Sequence, residues 1–501
     1  MEGDCMGRTS RRLGGMGLLA LGGLVAAWVP AQAGSLEDFL LENKQITIDQ
    51  WVKLKAEEEK QQAKALEESR SVGDVPVRER WYEKISIRGY AQFRFETQNN
   101  SLLINDQGDR ALGRNDQFSL RRARLIVSGQ PHDRVFIYVQ EEFAEMTGTN
   151  TANGTGTQST MGNNNNTGTN NTPVLRDFYA DLYLTPNKEW RIRAGQSKVP
   201  FGFETLQSSQ NRLAFDRTDA INSAQLNERD VGLFLYYSPT IIRERFRRLA
   251  ESGLKGSGDY GMLGLGVYNG NSNLSNTTEL NKNKHVIVHS SYPHEFSNGQ
   301  VVEIGMDAYT GQYVVSTTPV FPNSNIITPV PVSPFITNNG NYLDERVAWH
   351  FVVFPQPFGL QGEYTIGRGP QLNTERTQVE VGSLRGGYLQ LYYNYQCDTY
   401  CLSIFPYIRW QEYFGGKKFE NNAPRYSVRE TEFGLEYQFN AALELTVAYS
   451  WTQRTSDDPS QLPAIPGASC GSGAGSGIAC TQTPYQLQTG NLLRFQLQWN
   501  F

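Results

Sequence analysis

Strict alternation of apolar and polar residues is the feature that most limits what this chain can fold into. In the final eleven residues, NLLRFQLQWNF, alternate positions are apolar: Leu493, Phe495, Leu497, Trp499 and Phe501. The positions between them are polar: Arg494, Gln496, Gln498 and Asn500. Successive side chains of a β-strand point to opposite faces, so this pattern predicts a strand with one apolar and one polar face. A soluble β-sandwich has such strands too, so the rest of the chain decides between them.

The N-terminus has the three parts of a secretory signal peptide. Arg8, Arg11 and Arg12 precede the apolar run LGGMGLLALGGLVAAWVP, and AQA at 31–33 supplies a small-x-small cleavage site. We predict cleavage after Ala33, with a membrane anchor as the alternative interpretation. No later stretch has the roughly 18 uninterrupted apolar residues that a membrane helix needs. The sequence therefore predicts an exported protein.

Four cysteines follow the signal peptide, and they form two local pairs. The pairs are Cys397 with Cys401 and Cys470 with Cys480. In an oxidising compartment two short disulfides are favoured over metal sites, because no histidine lies beside either pair. We find no metal-ligand spacing, phosphate-binding glycine loop or dinucleotide fingerprint in its required context, so no cofactor is predicted.

The composition restricts the class of partner. The net charge is −5, from 46 basic and 51 acidic residues, which argues against nucleic acid. Apolar residues make up only 39%, while tyrosine and phenylalanine number 25 each and glycine 48. A long chain with few apolar residues and many aromatic ones is typical of a barrel with a wet interior.

Residues 34–84 have a helical pattern. SLEDFLLENK is followed by TIDQWVKLKAEEEKQQAKALEES, in which Thr47 and Gln50 form a capping-box-like pair. We predict a short helical hairpin in the periplasm that continues as a solvated appendage. A short coiled coil between subunits is the alternative, although the heptad pattern fails after Leu54.

From Ile85 onwards the chain is predicted to consist of strands joined by connections of alternating length. Turns such as QPHD, TPNK and NAA are short, whereas polar loops at 146–174, 200–228, 313–341 and 455–486 are long. Short turns on one side and long loops on the other are typical of outer-membrane barrels. We count about 16 strands, beginning near 85, 116, 134, 175, 189, 229, 259, 284, 299, 342, 358, 382, 401, 426, 442 and 487.

The predicted fold is therefore an all-β transmembrane protein, an antiparallel β-barrel over 85–501 with long extracellular loops. An even strand number returns the chain to the short-turn side, so 491–501 becomes the closing strand with its aromatic face toward lipid. One segment departs from the pattern: 240–258 is long, basic and partly helical where a short turn is due. We interpret it as a periplasmic excursion, and the strand count may differ by two there.

Residues 194–239 resemble the phosphate-selective porin family of the bacterial outer membrane. The matching pieces are GQSKVPFG, ETLQSS, DR and RDVG, and FSLRRARLIVSG resembles that family's second strand. The resemblance implies a homotrimer of 16-stranded barrels, each with a water-filled pore that the third long loop, here 200–228, narrows by folding inward. A terminal phenylalanine on such a strand, here Phe501, resembles the signal that the barrel assembly machinery recognises.

The resemblance also implies which residues meet the solute. Lys198 matches the motif lysine that faces the constriction in phosphate-binding relatives, and Arg212, Asp216, Arg217 and Arg229 lie in or directly after the inward loop. Arginine and lysine in a narrow channel attract anions, and a bidentate guanidinium suits phosphate oxygens. The alternative is that Arg217 pairs with Asp216 or Asp219 and only pins the loop.

Four further arginines are predicted to line the pore wall: Arg122, Arg124, Arg191 and Arg193. They alternate with apolar residues and should face the lumen, since a lipid-facing arginine near the midplane costs about 2–4 kcal/mol. Arg121 falls on the lipid face, so we expect it at the rim or in a bulge. The same alternation turns six carboxylates inward: Glu142, Asp177, Asp181, Glu432, Glu436 and Glu444. Mixed charges predict a modest anion preference rather than strong phosphate selectivity.

The predicted function is an outer-membrane porin that lets small anionic or polar solutes diffuse passively. An enzyme is not expected, because the five histidines have no accompanying serine motif. The alternative is a structural, adhesive or conduit-type barrel in the outer membrane without an open pore.

Overall fold

The computed structural model describes residues 84–99, 117–144, 173–225, 228–270, 280–316, 340–374, 378–397, 401–420, 422–456 and 486–501. Six residues between 50 and 61 are also described, and all six are helical. The predicted signal peptide at 1–33, most of the helical segment at 34–84, and the Cys470/Cys480 pair lie outside the described residues. None of the described helices is both long and apolar enough to cross a membrane.

The described strands form one sheet in which every neighbouring pair is antiparallel. They are β1 (Ile85–Asn99), β2 (Gln117–His132), β3 (Val135–Glu142), β4 (Val174–Tyr183), β5 (Trp190–Lys198), β6 (Arg229–Tyr237), β7 (Leu263–Tyr268), β8 (His285–Glu295), β9 (Val301–Val314), β10 (Asn341–Val353), β11 (Phe358–Leu372), β12 (Val379–Tyr393), β13 (Tyr395–Gln396), β14 (Ser403–Gly416), β15 (Arg425–Asn440), β16 (Leu443–Ser456) and β17 (Gln486–Asn500).

The sheet closes on itself, because β1 pairs with both β2 and β17. The two residues of β13 continue the line of β12: Tyr395 lies opposite Ile404 on β14 in the register that sets Tyr392 opposite Tyr407. The interruption lies beside Pro406, which has no backbone N–H to donate. The barrel therefore has sixteen strands around its circumference, and each begins within four residues of its predicted start.

Residue alternation gives the barrel an apolar exterior and a polar interior. On β15, Phe433 is 44% exposed and Leu435 43% exposed, while Glu432 and Glu436, which flank them in the sequence, are buried. The closing strand β17 follows the same rule, with Trp499 outside and Arg494 inside. This pattern is the reverse of that in a soluble protein, and it suits a wall that meets lipid outside and polar groups inside.

The two ends of the barrel differ in their connections. At the short-turn end, β2 and β3 join through residues 133–134, and β15 and β16 through 441–442. The connection from β13 to β14 at this end contains a disulfide between Cys397 and Cys401, whose Cα atoms are 5.3 Å apart. The connections at the other, long-loop end include 199–228 between β5 and β6.

Three helices lie between the strands in the part of the chain that the structure describes, and they belong to two long connections. Residues 199–228, which we call the inward loop, contain α1 (Phe203–Leu206) and α2 (Asp219–Asn222). Residues 238–262, which we call the strap, contain α3 (Thr240–Glu251) at the short-turn end. The predicted basic, partly helical excursion is therefore confirmed, and the strand count needs no correction at this point.

Helix α3 is amphipathic and lies against the barrel mouth. Ile242, Phe246 and Leu249 follow one another at helical spacing and are buried. Leu249 packs in a cluster with Phe203 of the inward loop and Val301 of β9. The strap thus folds onto and into the short-turn mouth, which its sequence did not indicate.

Candidate pore and constriction

The inward loop lies inside the barrel, where it is buried almost throughout. Val199, Phe201 and Ile221 pack against Phe234 and Tyr268 from the wall. The described interior thus holds a folded loop with its own apolar contacts.

Gly202 explains one position of the GQSKVPFG motif. Its φ of +83° is in the left-handed region, and a Cβ at this position would collide with the Glu363 carboxylate. Its backbone N–H donates to Asp307 Oδ2 on β9 over 2.8 Å. A glycine here lets the chain turn inward directly after β5.

Carboxylates of the inward loop bind arginines of the barrel wall. Asp216 accepts hydrogen bonds from Arg494 at 2.5 Å and from Arg94 at 3.4 Å. Glu204 accepts two hydrogen bonds from Arg409, at 2.6 and 3.1 Å. All five side chains are buried. The predicted constriction residue Asp216 therefore joins the loop to β1 and β17.

A second group of contacts fixes α2 and its flanks. Asp219 accepts hydrogen bonds of 2.8 and 2.7 Å from Arg454, and its other cation is Lys417 at 3.0 Å. Arg346 of β10 donates to Ser223 through the hydroxyl and the carbonyl oxygen, at 2.7 and 2.8 Å. The loop is consequently tied to widely separated strands of the wall.

Lys198, the predicted constriction lysine, ends β5 and is buried. Its Nζ donates to the carbonyl oxygens of Leu206 at 3.1 Å and Gln207 at 2.9 Å. The nearest carboxylate oxygen in an ion pair is Glu228 Oε2, at 3.5 Å. The ammonium therefore supports the end of α1 while it faces a cavity described below.

Glu228, the last residue of the inward loop, forms ion pairs with two more of the predicted cations. Arg217 forms an ion pair with it, a partner that the sequence did not indicate, and Arg229 donates to its Oε2 over 2.9 Å. Arg229 also donates to Asp177 of β4 over 2.9 Å. Glu228 has a φ of 64°, which non-glycine residues rarely adopt, and such strained positions cluster at functional sites.

Arg212 differs from the other loop arginines in its partners. Its Nε and Nη2 donate to the carbonyl oxygens of Ala214 and Phe215, at 3.1 and 3.2 Å. Among the described residues, no carboxylate forms an ion pair with Arg212, and its buried Nη1 has no hydrogen bond. Its described hydrogen bonds therefore go to backbone carbonyls and not to a carboxylate.

The four predicted wall arginines all face the interior. Arg122 donates to Gln92 at 2.8 Å, and Arg124 donates to Glu142 at 2.7 Å. Arg121 sits in a bulge, because Gln92 pairs with Arg122 while the next residue, Phe93, pairs with Leu120. This agrees with the expectation of a rim or bulge position.

The other two wall arginines lie two residues apart on β5 and have different closest partners. Arg193 makes a bidentate contact with Asp181, at 2.7 and 2.9 Å. Arg191 donates to Asp259 Oδ2 of the strap over 2.5 Å. Burial alone would raise the pKa of Asp259, but the adjacent Arg191 charge outweighs it and lowers that pKa below its ordinary value.

Several interior cations were absent from the predicted site, although the strands that hold five of them were predicted. They are Arg94, Lys255, Arg346, Arg409, Lys417, Lys418, Arg454 and Arg494. For the strand residues the signal was the alternation already used for Arg122 and Arg124: Arg494, for example, occupies the polar face of the closing strand. Lys255 had no such signal, because it belongs to the strap.

Lys255 is buried against the opposite wall. Its Nζ lies 2.5 Å from Glu436 Oε1 on β15. Burial alone would lower the pKa of Lys255, but the carboxylate of Glu436, helped by Glu444, outweighs it and raises that pKa above its ordinary value. Lys255 is therefore positively charged at neutral pH.

A cavity of about 1190 Å³ lies between the inward loop, the strap and the wall. Six cationic side chains line it: Arg88, Arg124, Arg193, Lys198, Arg229 and Lys255. Four carboxylates line it as well: Asp177, Glu251, Asp259 and Glu444. The lining has an excess of two positive charges. Among the described residues, no cluster of three or more histidine, cysteine, aspartate or glutamate side chains could hold a metal ion.

A closed sixteen-stranded barrel with an apolar exterior, a charged interior and a loop folded inside it has the architecture of a porin. The sequence matches the family model described as "Phosphate-selective porin O and P" over residues 99–462. The chain belongs to that family, whose members are porins of the outer membrane and not enzymes. No curated protein matches the sequence significantly.

Three solved structures with a similar fold are distant from this chain in sequence. OmpT of Vibrio cholerae, in a trimer form, is 8% identical, with 83% of this chain and 99% of that chain covered and a TM-score of 0.39. The outer membrane channel DcaP of Acinetobacter baumannii is 12% identical, with 83% and 97% covered and a TM-score of 0.43. An anion-selective porin from Comamonas acidovorans is 8% identical, with 83% and 99% covered and a TM-score of 0.43.

Proposed function

We propose that this porin lets small hydrophilic solutes diffuse passively and has a modest preference for anions, phosphate among them. The observation that supports this most directly is the charge of the 1190 Å³ cavity, where six cationic side chains face four carboxylates. Fixed charge in a narrow, poorly solvated passage raises the local concentration of the opposite ion.

The same contacts explain why the preference is modest. Most interior arginines bind a carboxylate, as Arg193 binds Asp181 and Arg124 binds Glu142. Paired charges attract a passing anion weakly, because each cation is compensated locally. Lys198 and Arg212 differ from these, since backbone carbonyls supply their closest hydrogen bonds. We assign Lys198, which lines the cavity, the main part in attracting the solute and Arg212 a smaller one.

The remaining parts of the proposal concern assembly. We propose a homotrimer, as in the trimer form of OmpT, held in outer-membrane lipid by the apolar exterior. Phe501 is proposed to be the residue that the barrel assembly machinery recognises. Residues 34–84 are proposed to lie in the periplasm.

The test is the reversal potential of the purified porin in a planar bilayer across a KCl gradient, followed by addition of inorganic phosphate. We expect a potential of the sign for chloride permeation and a chloride current that phosphate reduces. Lys198→Gln should move the potential toward zero and weaken the phosphate effect. Arg368→Gln is the matched control, because Arg368 faces outward with a side chain 60% exposed.

Other outcomes would overturn the proposal in different ways. A cation-selective current that added phosphate does not change would refute the anion preference and indicate a general porin. No current from folded trimers would favour a structural, adhesive or conduit-type barrel instead.

A further inference from the structure

The strap reaches across the full width of the short-turn mouth. It leaves the wall at β6 and returns at β7, yet Lys255 near its tip contacts Glu436 on β15. With β13 continuing β12, β15 is the fourteenth of sixteen strands and lies eight places from β6. Eight of sixteen places is the opposite side of the barrel.

The tip is held by a buried ion pair. The Lys255 side chain is 4% exposed and the Glu436 side chain 1% exposed, with 2.5 Å between Nζ and Oε1. The ammonium also lies 5.0 Å from the centre of the Phe405 ring on β14. Lys255 has a φ of 67°, which a non-glycine residue rarely adopts, so surrounding contacts hold it in place.

The strap also contacts the inward loop. Gln207 donates its side-chain N–H to the carbonyl oxygen of Lys255 over 2.7 Å, and Asn211 donates to that of Ala250 over 3.3 Å. Gln207 is the residue whose own carbonyl binds Lys198. The two inserts, which enter from opposite ends, therefore meet beside the cavity that both line.

The parts of the strap next to β6 and β7 are anchored separately from its tip, residues 252–258. Arg248 of α3 donates to Glu295 of β8 over 2.9 Å, and Ser238 donates to Asp259 over 2.9 Å. With α3 and the return to β7 fixed at the wall, residues 252–258 are the part that extends toward β15. Lys255 and Glu436 form the ion pair at their far end.

We propose that the strap is a second constriction at the short-turn mouth, held across the pore by the Lys255–Glu436 ion pair. Small hydrophilic solutes that pass the inward loop meet this constriction before they leave the barrel. The inference goes beyond the proposed anion preference and does not depend on it, because a strap across the mouth limits the flow of either ion.

Single-channel conductance of the trimer in planar bilayers tests the proposal. Glu436→Gln and Lys255→Gln each remove one partner, and each should raise the conductance and add fluctuations of the open current. The double variant Lys255→Glu with Glu436→Lys restores opposite charges and should return the conductance toward that of the parent protein. Glu345→Gln is the control, because it removes a carboxylate on the outer face of the barrel that does not line the cavity.

Limited trypsin digestion of the folded trimer gives a second readout. In Glu436→Gln, release of the tip should expose Lys255, so cleavage after it should be faster than in the parent protein and in Glu345→Gln. Lys255 lies outside the strands. Lys255→Gln therefore provides the conductance test even if a substitution within β15 impairs folding.

Two results would overturn the proposal: single variants with unchanged conductance, or a charge-reversed pair that behaves like the singles. Failure of the anion preference would appear in a different measurement, the reversal potential. A porin without anion selectivity whose conductance still rises on loss of Glu436 would refute the first proposal and support the second.

Discussion

The inward loop and the strap enter the same barrel from opposite ends, yet they are attached in different ways. The loop binds the wall through several buried carboxylate contacts, with Glu204, Asp216 and Asp219 each paired to arginine. The tip of the strap has one described ion pair, with Glu436, and accepts one hydrogen bond from Gln207 at a backbone carbonyl. Several charged anchors make the loop part of the folded core, whereas a single ion pair makes the tip of the strap the part that one substitution releases.

The loop and the strap should also differ in the free energy that is lost when one of their ion pairs is broken. Removing one partner of a buried ion pair leaves an uncompensated charge and costs about 3–5 kcal/mol when the site cannot relax. The loop cannot move into water, because it is enclosed by the wall. Residues 252–258 of the strap lie at the barrel mouth, where released charges reach solvent. We therefore expect loop variants to affect stability most and strap variants to affect conductance most.

The largest expected effect is that of Asp219→Asn. This change removes the charge that compensates Arg454 and Lys417, so the free energy of unfolding should fall by about 3–5 kcal/mol. Denaturant unfolding of the barrel in lipid vesicles measures it.

The control for Asp219→Asn is an ion pair on the outer face. Arg368 and Glu345 lie 2.5 Å apart with side chains 60% and 34% exposed. Exposed pairs contribute about 0–1 kcal/mol, so Glu345→Gln should change stability little. Equal losses from both variants would contradict the view that burial makes the loop anchors strong.

An intermediate effect is expected from Asp216→Asn, measured as selectivity. Arg94 and Arg494 keep their charges but lose this carboxylate, so the interior becomes more positive. The reversal potential across a KCl gradient should shift further in the direction of chloride permeation. A shift toward potassium would show that the loop had left the pore, and trypsin digestion would then detect its exposure.

The smallest effect is expected from Arg212→Gln. Arg212 has no described carboxylate partner, so its loss leaves no uncompensated acid and should change stability little. The reversal potential should move slightly toward zero. Arg217→Gln is the comparison, since it removes one of the cations around Glu228. If Arg212→Gln destabilised the barrel as much as Asp219→Asn, its assignment to solute attraction would be wrong.

The barrel could be predicted well from the sequence because the pattern that defines the two faces of each strand is local. Period-two alternation shows which face of each strand meets lipid, and Arg122, Arg124, Arg191 and Arg193 could be turned inward on that basis alone. The same alternation applied to β14, β16 and β17 would have added Arg409, Arg454 and Arg494.

What the sequence did not predict depends on contacts between distant parts of the chain. Nothing near Arg217 indicates Glu228 as its partner, since the curvature of the inward loop decides which carboxylate it meets. Likewise Lys255 and Glu436 are 181 residues apart, and the register of the whole barrel has to be known before they face each other. A basic excursion at 240–258 was therefore predicted, but its path across the mouth was not.

The attachment of the inward loop has a mechanical consequence. Its anchors run from Asp307 on β9 through Arg346, Arg409 and Arg454 to Arg94 on β1, so internal ties reach more than half of the ring. A hollow cylinder flattens easily into an oval when it is squeezed from the side, whereas a cross-braced one does not, because densely packed interiors resist compression. We therefore expect the width of the barrel to depend little on the tension of the surrounding bilayer.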